Sequence, residues 1–146
     1  MKLHSIGLGL VVLMASLLPA TADAEDPAIG RVSRLVGSQL GQAEAPGASA
    51  RKLAMGDSVF SGERIRTGAG TVLQIEFTDT SRFTLGPSAE LELSRYSFAS
   101  DGSAEEAFHS RVIKGAFRFV TGLIARKERK NISIDTTSGP LVRDSR

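Results

Sequence analysis

Hydrophobic and polar residues alternate along most of the chain after its first 25 positions. Thr71–Thr78 reads TVLQIEFT: Leu73, Ile75 and Phe77 fall on one face, and Gln74, Glu76 and Thr78 on the other. A period of two marks a strand with one buried side. Glu90-Leu91-Glu92-Leu93 repeats the pattern with Leu inward, Phe117-Arg118-Phe119 repeats it with Phe inward, and Arg64-Ile65-Arg66 gives a shorter version. Turn signals separate these runs: Gly68-Ala69-Gly70, Asp79-Thr80-Ser81, Gly86-Pro87-Ser88 and Asp101-Gly102. A return every 8–12 residues or so is the rhythm of an antiparallel sandwich or barrel. No apolar stripe of helical period longer than two turns follows residue 25. The expected fold class is all-β, a compact antiparallel sandwich or roll of short strands.

The N-terminus follows a different rule. Lys2 precedes an apolar run, Ile6–Leu18, which Pro19 breaks, and Ala22-Asp23-Ala24 places small residues where a signal peptidase would cut. The run is 13 residues, short of the roughly 20 that span a bilayer. Residues 1–24 are therefore expected to be a cleaved signal peptide, with residues 25–146 forming one exported domain and no stable membrane span. The expected location is periplasmic or secreted, in a bacterial envelope, since the chain contains no cysteine for disulfide staples.

Composition narrows the chemistry. Without cysteine there is no thiolate nucleophile and no sulfur-ligated metal. The two histidines, His4 and His109, leave one after processing, too few for a histidine metal site. No cofactor and no metal is expected. Gly56-Asp57-Ser58 matches the short nucleophile signature of a serine-hydrolase class, which makes Ser58 a remote catalytic candidate. Its triad partners are absent in pattern, because His109 is neither C-terminal nor preceded by Asp at the required spacing. Gly56-Asp57 reads better as a tight turn before a strand. Glu90/Glu92 and Glu105/Glu106 are paired carboxylates, and the first pair lies on a strand face expected to meet solvent. His109 alternates with Phe108 and is expected to point outward. No catalytic residue is assigned.

Charge is distributed unevenly. Glu25–Ser110 carries a net −4 and Arg111–Arg146 a net +6. The basic excess centres on Arg126, Lys127, Arg129 and Lys130, expected to form an exposed hairpin loop between two strands. These four are the candidate anion- or partner-binding residues; the alternative is a solvated loop that keeps a sheet edge from pairing.

Several segments together resemble one family. Leu53-Ala54-Met55-Gly56-Asp57 resembles the "L-x-x-G-D" segment of the FecR domain, the iron-dicitrate sensor module. Glu63–Gly68 is similar to its "I-x-T-G" turn, and Ile75–Leu85 to its "L-x-F-x-D-G-S-x-x-x-L" hairpin. Pro87–Leu93 follows in order, and Lys114–Gly122 resembles its "G-x-x-R" strand. The likeness spans about residues 30–143. It implies an all-β module that works by protein contact, with no catalytic residues to carry over. Members of the family are transmembrane regulators with a cytoplasmic sigma-factor-binding segment. A cleavable signal is expected to stand in that place here, so sigma-factor control is not implied.

Two departures carry expectations of their own. Asp79-Thr80-Ser81 replaces the family's "D-G-S", and threonine takes positive φ at a cost, so this turn is expected to adopt another geometry. The closing "G-I-R-G-T" survives only as Leu141-Val142-Arg143-Asp144-Ser145, so residues from Ser138 onward are expected to fray and leave an open strand edge. The functional expectation is an exported, non-enzymatic recognition module binding an envelope protein or an anionic polymer, with no nucleic acid among its partners. The alternative is a structural or assembly protein that forms homo-oligomers by pairing through the C-terminal edge.

Overall fold

A computed structural model describes residues 26–37, 40–127, 131–137 and 139–140. The expected signal segment lies outside these residues. Twelve strands and one short helix are described, in the order β1 (Gly30–Val36), β2 (Gly41–Glu44), β3 (Arg51–Leu53), β4 (Ser58–Val59), β5 (Arg64–Thr67), β6 (Val72–Phe77), β7 (Arg82–Leu85), β8 (Glu90–Ser97), β9 (Ala107–Lys114), β10 (Phe117–Val120), α1 (Leu123–Lys127), β11 (Ile132–Thr136) and β12 (Gly139–Pro140). They form two sheets. One has five strands in the order β10-β7-β6-β1-β4, and the other seven in the order β12-β11-β9-β8-β5-β2-β3. The class is all-β, as the alternation predicts.

The core lies where the inward faces meet. Val32, Leu73, Ile75, Phe77, Phe83 and Leu85 come from the first sheet, and Leu53, Ile65, Leu91, Leu93, Phe108 and Val112 from the second. On β6, Leu73, Ile75 and Phe77 are buried while Gln74 and Glu76 are half-exposed. Phe117 and Phe119 are only half-buried, because β10 is an edge strand. Their rings still pack on Phe83, at centroid distances of 5.3 and 5.5 Å.

Successive strands change sheets at tight corners. Between β9 and β10 the turn is Gly115-Ala116, with Gly115 at φ +90°. A Cβ at Gly115 would come within 2.5 Å of Ala89, so only glycine lets these two chains touch. Thr67 closes a second corner: its hydroxyl donates to the Gly86 carbonyl (2.7 Å) and accepts from the Ala89 amide (2.9 Å).

Three expectations are corrected. The sheets are not antiparallel throughout, since β11 runs parallel to β9, from Ile132 beside Phe108 to Thr136 beside Val112. A parallel neighbour requires a crossover, and here the chain crosses through β10 in the opposite sheet and then α1. Arg126 and Lys127 accordingly lie on a helical crossover, not on a hairpin loop. At the C-terminal end, Gly139 and Pro140 pair with Thr136 and Asp135 of β11. Ser138 and the segment Leu141–Ser145 lie outside the described residues.

The third correction concerns the Asp79-Thr80-Ser81 turn. Thr80 has φ +69°, the left-handed conformation that glycine adopts at least cost. The Phe77 carbonyl accepts from the Thr80 amide (2.9 Å), and the Phe77 amide donates to the Ser81 carbonyl (2.9 Å). This is a three-residue hairpin loop with its last residue left-handed. The β6–β7 register fixes the loop length, and the loop length fixes the φ, so the threonine conforms. A β-branched residue there carries about 1–2 kcal/mol of local strain. Thr80→Gly should therefore raise stability by up to about 1 kcal/mol, after the greater unfolded-state freedom of glycine is subtracted. Thermal unfolding should show a higher midpoint; a lower one would mean that the threonine side chain contributes more than its strain costs.

Candidate interaction surfaces

The basic run predicted to bind anions begins on α1, and the placement of α1 traces to one carboxylate. Asp79 is 1% exposed. Its carboxylate accepts from the Ser81 hydroxyl (2.5 Å), the Ser81 amide (3.2 Å), the Tyr96 hydroxyl (3.1 Å) and the Ile124 amide (3.5 Å). Its backbone carbonyl accepts from the Leu123 amide at 2.7 Å, and its backbone amide donates to the Tyr96 hydroxyl at 2.9 Å. The first amides of a helix lack intrahelical partners; here the neighbouring β6–β7 turn supplies them. Gly122 permits the approach, since a Cβ there would lie 2.2 Å from the Asp79 carbonyl oxygen. Ile124 then enters the core, fully buried.

This arrangement sets the exposure of the basic residues. Arg126 and Lys127 are exposed at the end of α1. Lys127 donates to Glu106 at 2.7 Å, and the Glu106 side chain is only 9% exposed, so Lys127 neutralises a mostly buried acid of this same chain. Arg129 and Lys130 lie outside the described residues. The structure thus brings Arg126 and Lys127 together and gives one of them an internal partner.

The paired carboxylates Glu90 and Glu92 are also engaged within the chain. Arg64 contacts Glu90 (3.4 Å) and Glu92 (3.3 Å), and Arg66 contacts Glu90 (3.4 Å) and Glu44 (2.9 Å). These contacts belong to a longer row. Strand register sets Glu44 beside Arg64, Arg64 beside Glu92, Glu92 beside Arg111, and Arg111 beside Asp135. Charges thus alternate in sign across five adjacent strands on the outer face of the seven-stranded sheet. Opposite charges directly across a strand pair attract and like charges repel, so this row is electrostatically self-satisfied, while Lys52, Arg95 and Lys114 are further exposed cations on strands of the same sheet. Of the second pair, Glu106 is held by Lys127, whereas Glu105 is exposed.

Glu63 escapes the sequence reading. It is 3% exposed and takes both forks of Arg51 at 2.9–3.2 Å, while accepting from the Phe60 amide. Arg51 also donates to the Ser58 carbonyl (2.7 Å) and lies 5.7 Å from the Phe60 ring centroid. Only a repeat of charge complementarity at the right strand positions could have signalled this pair.

Ser58 and His109 are in different sheets. Ser58 is exposed on β4 opposite Arg31, and His109 is half-exposed on β9 between Arg95 and Ser133. Gly56 is at φ +84°, and the Asp57 carboxylate accepts from the Ala54 amide at 2.8 Å. The Gly-Asp pair is therefore the predicted tight turn. Among the described residues, no group of three or more His, Asp or Glu is placed to hold a metal ion, and no helix is long and apolar enough to cross a membrane. The surface depressions are open. One of about 520 Å³ lies between Pro27–Ile29 and the loop that follows β8, and one of about 440 Å³ lies beside Glu44, Arg64 and Glu92.

No family model matches the chain, and neither does any curated protein. Among solved structures, a chain described as a cell surface anchoring domain is similar at 29% identity, over 45% of this chain and 84% of that one, with a TM-score of 0.42. A likeness of that size fixes neither fold nor function.

The Asp79 site makes one spectroscopic prediction. Burial above all, reinforced by the charge of Asp79 and opposed by the hydrogen bond with Thr78, pushes the Tyr96 phenol far above its ordinary value of 10.0. The unfolded chain releases this proton from about pH 10, whereas the folded chain retains it. Stability from this site is therefore complete below pH 10 and declines as pH rises through and beyond it. The chain has one tyrosine and no tryptophan, so tyrosinate absorbance reports on Tyr96 alone. It should appear only together with loss of the β-sheet circular dichroism. Titration near pH 10 in folded protein would contradict the burial.

Proposed function

We propose that this chain is an exported, non-enzymatic FecR-like recognition module whose partner is an envelope protein or an anionic polymer. The supporting observation is the placement of the residues that carry the resemblance. Leu53, Leu85 and Leu91 are core. Gly56 and Asp57 make a turn whose Gly56 amide donates to Val32. Thr67 closes a corner, Asp79 ties a hairpin to a helix, and Gly115 fits against Ala89. Each has a framework task, and none is left pointing into a cleft for chemistry. Motifs of this kind describe a scaffold, and on such a scaffold function belongs to the exposed faces.

The test has two arms. The full chain, expressed with its own N-terminus in a bacterium with two membranes, should be recovered from the envelope fraction with the intact mass of a product that begins at Glu25. Retention of residues 1–24, or recovery from the cytoplasm alone, would overturn the export. Ester hydrolysis by the purified protein should be the same for wild type and Ser58→Ala; a loss on substitution would overturn the non-enzymatic reading.

A further inference from the structure

The outer face of the five-stranded sheet carries charges that are almost all of one sign. Its register aligns two rows across the strands. One row is Val120, Arg82, Glu76, Arg31 and Ser58, on β10, β7, β6, β1 and β4. The other is Arg118, Thr84, Gln74 and Arg34, on β10, β7, β6 and β1. Arg31, Arg34, Arg82 and Arg118 are all exposed. The one acid in the two rows is Glu76, with Arg82 at 3.2 Å and Arg31 at 3.9 Å, so the face carries a net +3. Counting along the chain hides this excess, because Glu25–Ser110 is net negative and most of its acids lie in turns and loops or on the other sheet.

We propose that this face binds a linear acidic polysaccharide in which carboxylated sugars alternate with neutral ones. The inference rests on the recognition-module reading and names its surface and ligand class. All four cations are arginines, whose forked guanidinium groups match carboxylates in a bidentate geometry. They form two groups, Arg82 with Arg118 on β7 and β10, and Arg31 with Arg34 on β1. Strands lie about 4.8 Å apart, so the groups are centred roughly 10–14 Å from each other. Between them stand Glu76, Gln74 and Thr84. The Gln74 amide donates to Ser33 at 3.0 Å, and the Thr84 hydroxyl lies 3.5 Å from Gln74. This polar strip can exchange hydrogen bonds with sugar hydroxyls.

Glu76 provides the discrimination. A polymer with closely spaced charges, such as a nucleic acid at one per about 1.7 Å of duplex, must set anions against this carboxylate. A chain with a neutral sugar between its carboxylates does not. Binding sites select partners through such repulsive elements as well as attractive ones. Nor does the face supply stacking platforms, which single-stranded nucleic acids require: the rings of these strands, Phe77, Phe83, Phe117 and Phe119, belong to the core or pack against it.

Binding of the full chain to hyaluronan, polyphosphate and neutral dextran tests this by calorimetry at several salt concentrations. Hyaluronan should bind, more weakly as salt rises, and more tightly than polyphosphate at equal charge concentration; dextran should not bind. The double variant Arg31→Gln/Arg118→Gln should lose about tenfold or more in hyaluronan affinity, with an unchanged melting temperature showing that it remains folded. Arg126→Gln should bind as wild type. Glu76→Gln should raise polyphosphate affinity more than hyaluronan affinity. Equal or tighter binding of polyphosphate by wild type, or full hyaluronan affinity in the double variant, would overturn the proposal. Failure of these arms with correct export would remove the ligand assignment and leave the recognition-module reading in place.

Discussion

The buried carboxylate of Asp79 is the constraint on which the rest of this fold depends. It sits in a hairpin of the five-stranded sheet, yet its hydrogen bonds reach Tyr96 on a strand of the seven-stranded sheet and Ile124 on the crossover helix. A buried carboxylate without donors would cost several kcal/mol, so the surrounding groups must be in place whenever this one is. Tyr96 extends the link into the core, with its ring stacked on Phe77 at 5.4 Å and edge-on to Phe108 at 5.6 Å. One polar cluster thus joins both sheets and the crossover that returns the chain to the second of them. The strained Thr80 is held by the same cluster, since its neighbours Asp79 and Ser81 are bonded to each other.

From that anchoring the two outer faces follow. A sandwich with one apolar core has two solvent faces, and strand alternation delivers every outward side chain to one of them. The acids and bases of β2, β5, β8, β9 and β11 meet in alternating sign on one face, while the arginines of β1, β7 and β10 gather on the other around a single glutamate. Surface ion pairs contribute little stability each, so the alternating rows matter more for what they decline to bind. The arginine face, with four cations to one acid, is separate from the basic run near the C-terminus.

Much of the fold was legible in the sequence, because alternation is a local signal. Leu73, Ile75 and Phe77, and Leu91 and Leu93, declare their face within a few residues. The turn at Gly56-Asp57 was equally readable. What escaped was set by non-local geometry. The parallel pairing of β11 depends on a crossover through the other sheet, and nothing in Ile132–Thr136 encodes direction. The φ of Thr80 is not legible locally, because local preference disfavours it whereas the register of two strands imposes it. The arginine face was invisible for a related reason: Arg31, Arg34, Arg82 and Arg118 are spread over nearly ninety positions and become neighbours only through strand pairing. The run at Arg126–Lys130 stands out in the sequence because its charges are adjacent, yet Lys127 is engaged with Glu106.

Asp79 couples the hairpin, the tyrosine and the crossover helix as one unit. Amide hydrogen exchange in Asp79→Asn tests it directly, because the substitution keeps the size of the side chain and replaces one acceptor oxygen by a donor. Exchange should become faster at Ser81 in the hairpin and at Leu123 and Ile124 in the helix together, with a stability loss of about 1–3 kcal/mol, while β2 and β3 retain their protection. Unchanged exchange at Leu123 and Ile124, with only the hairpin affected, would contradict it.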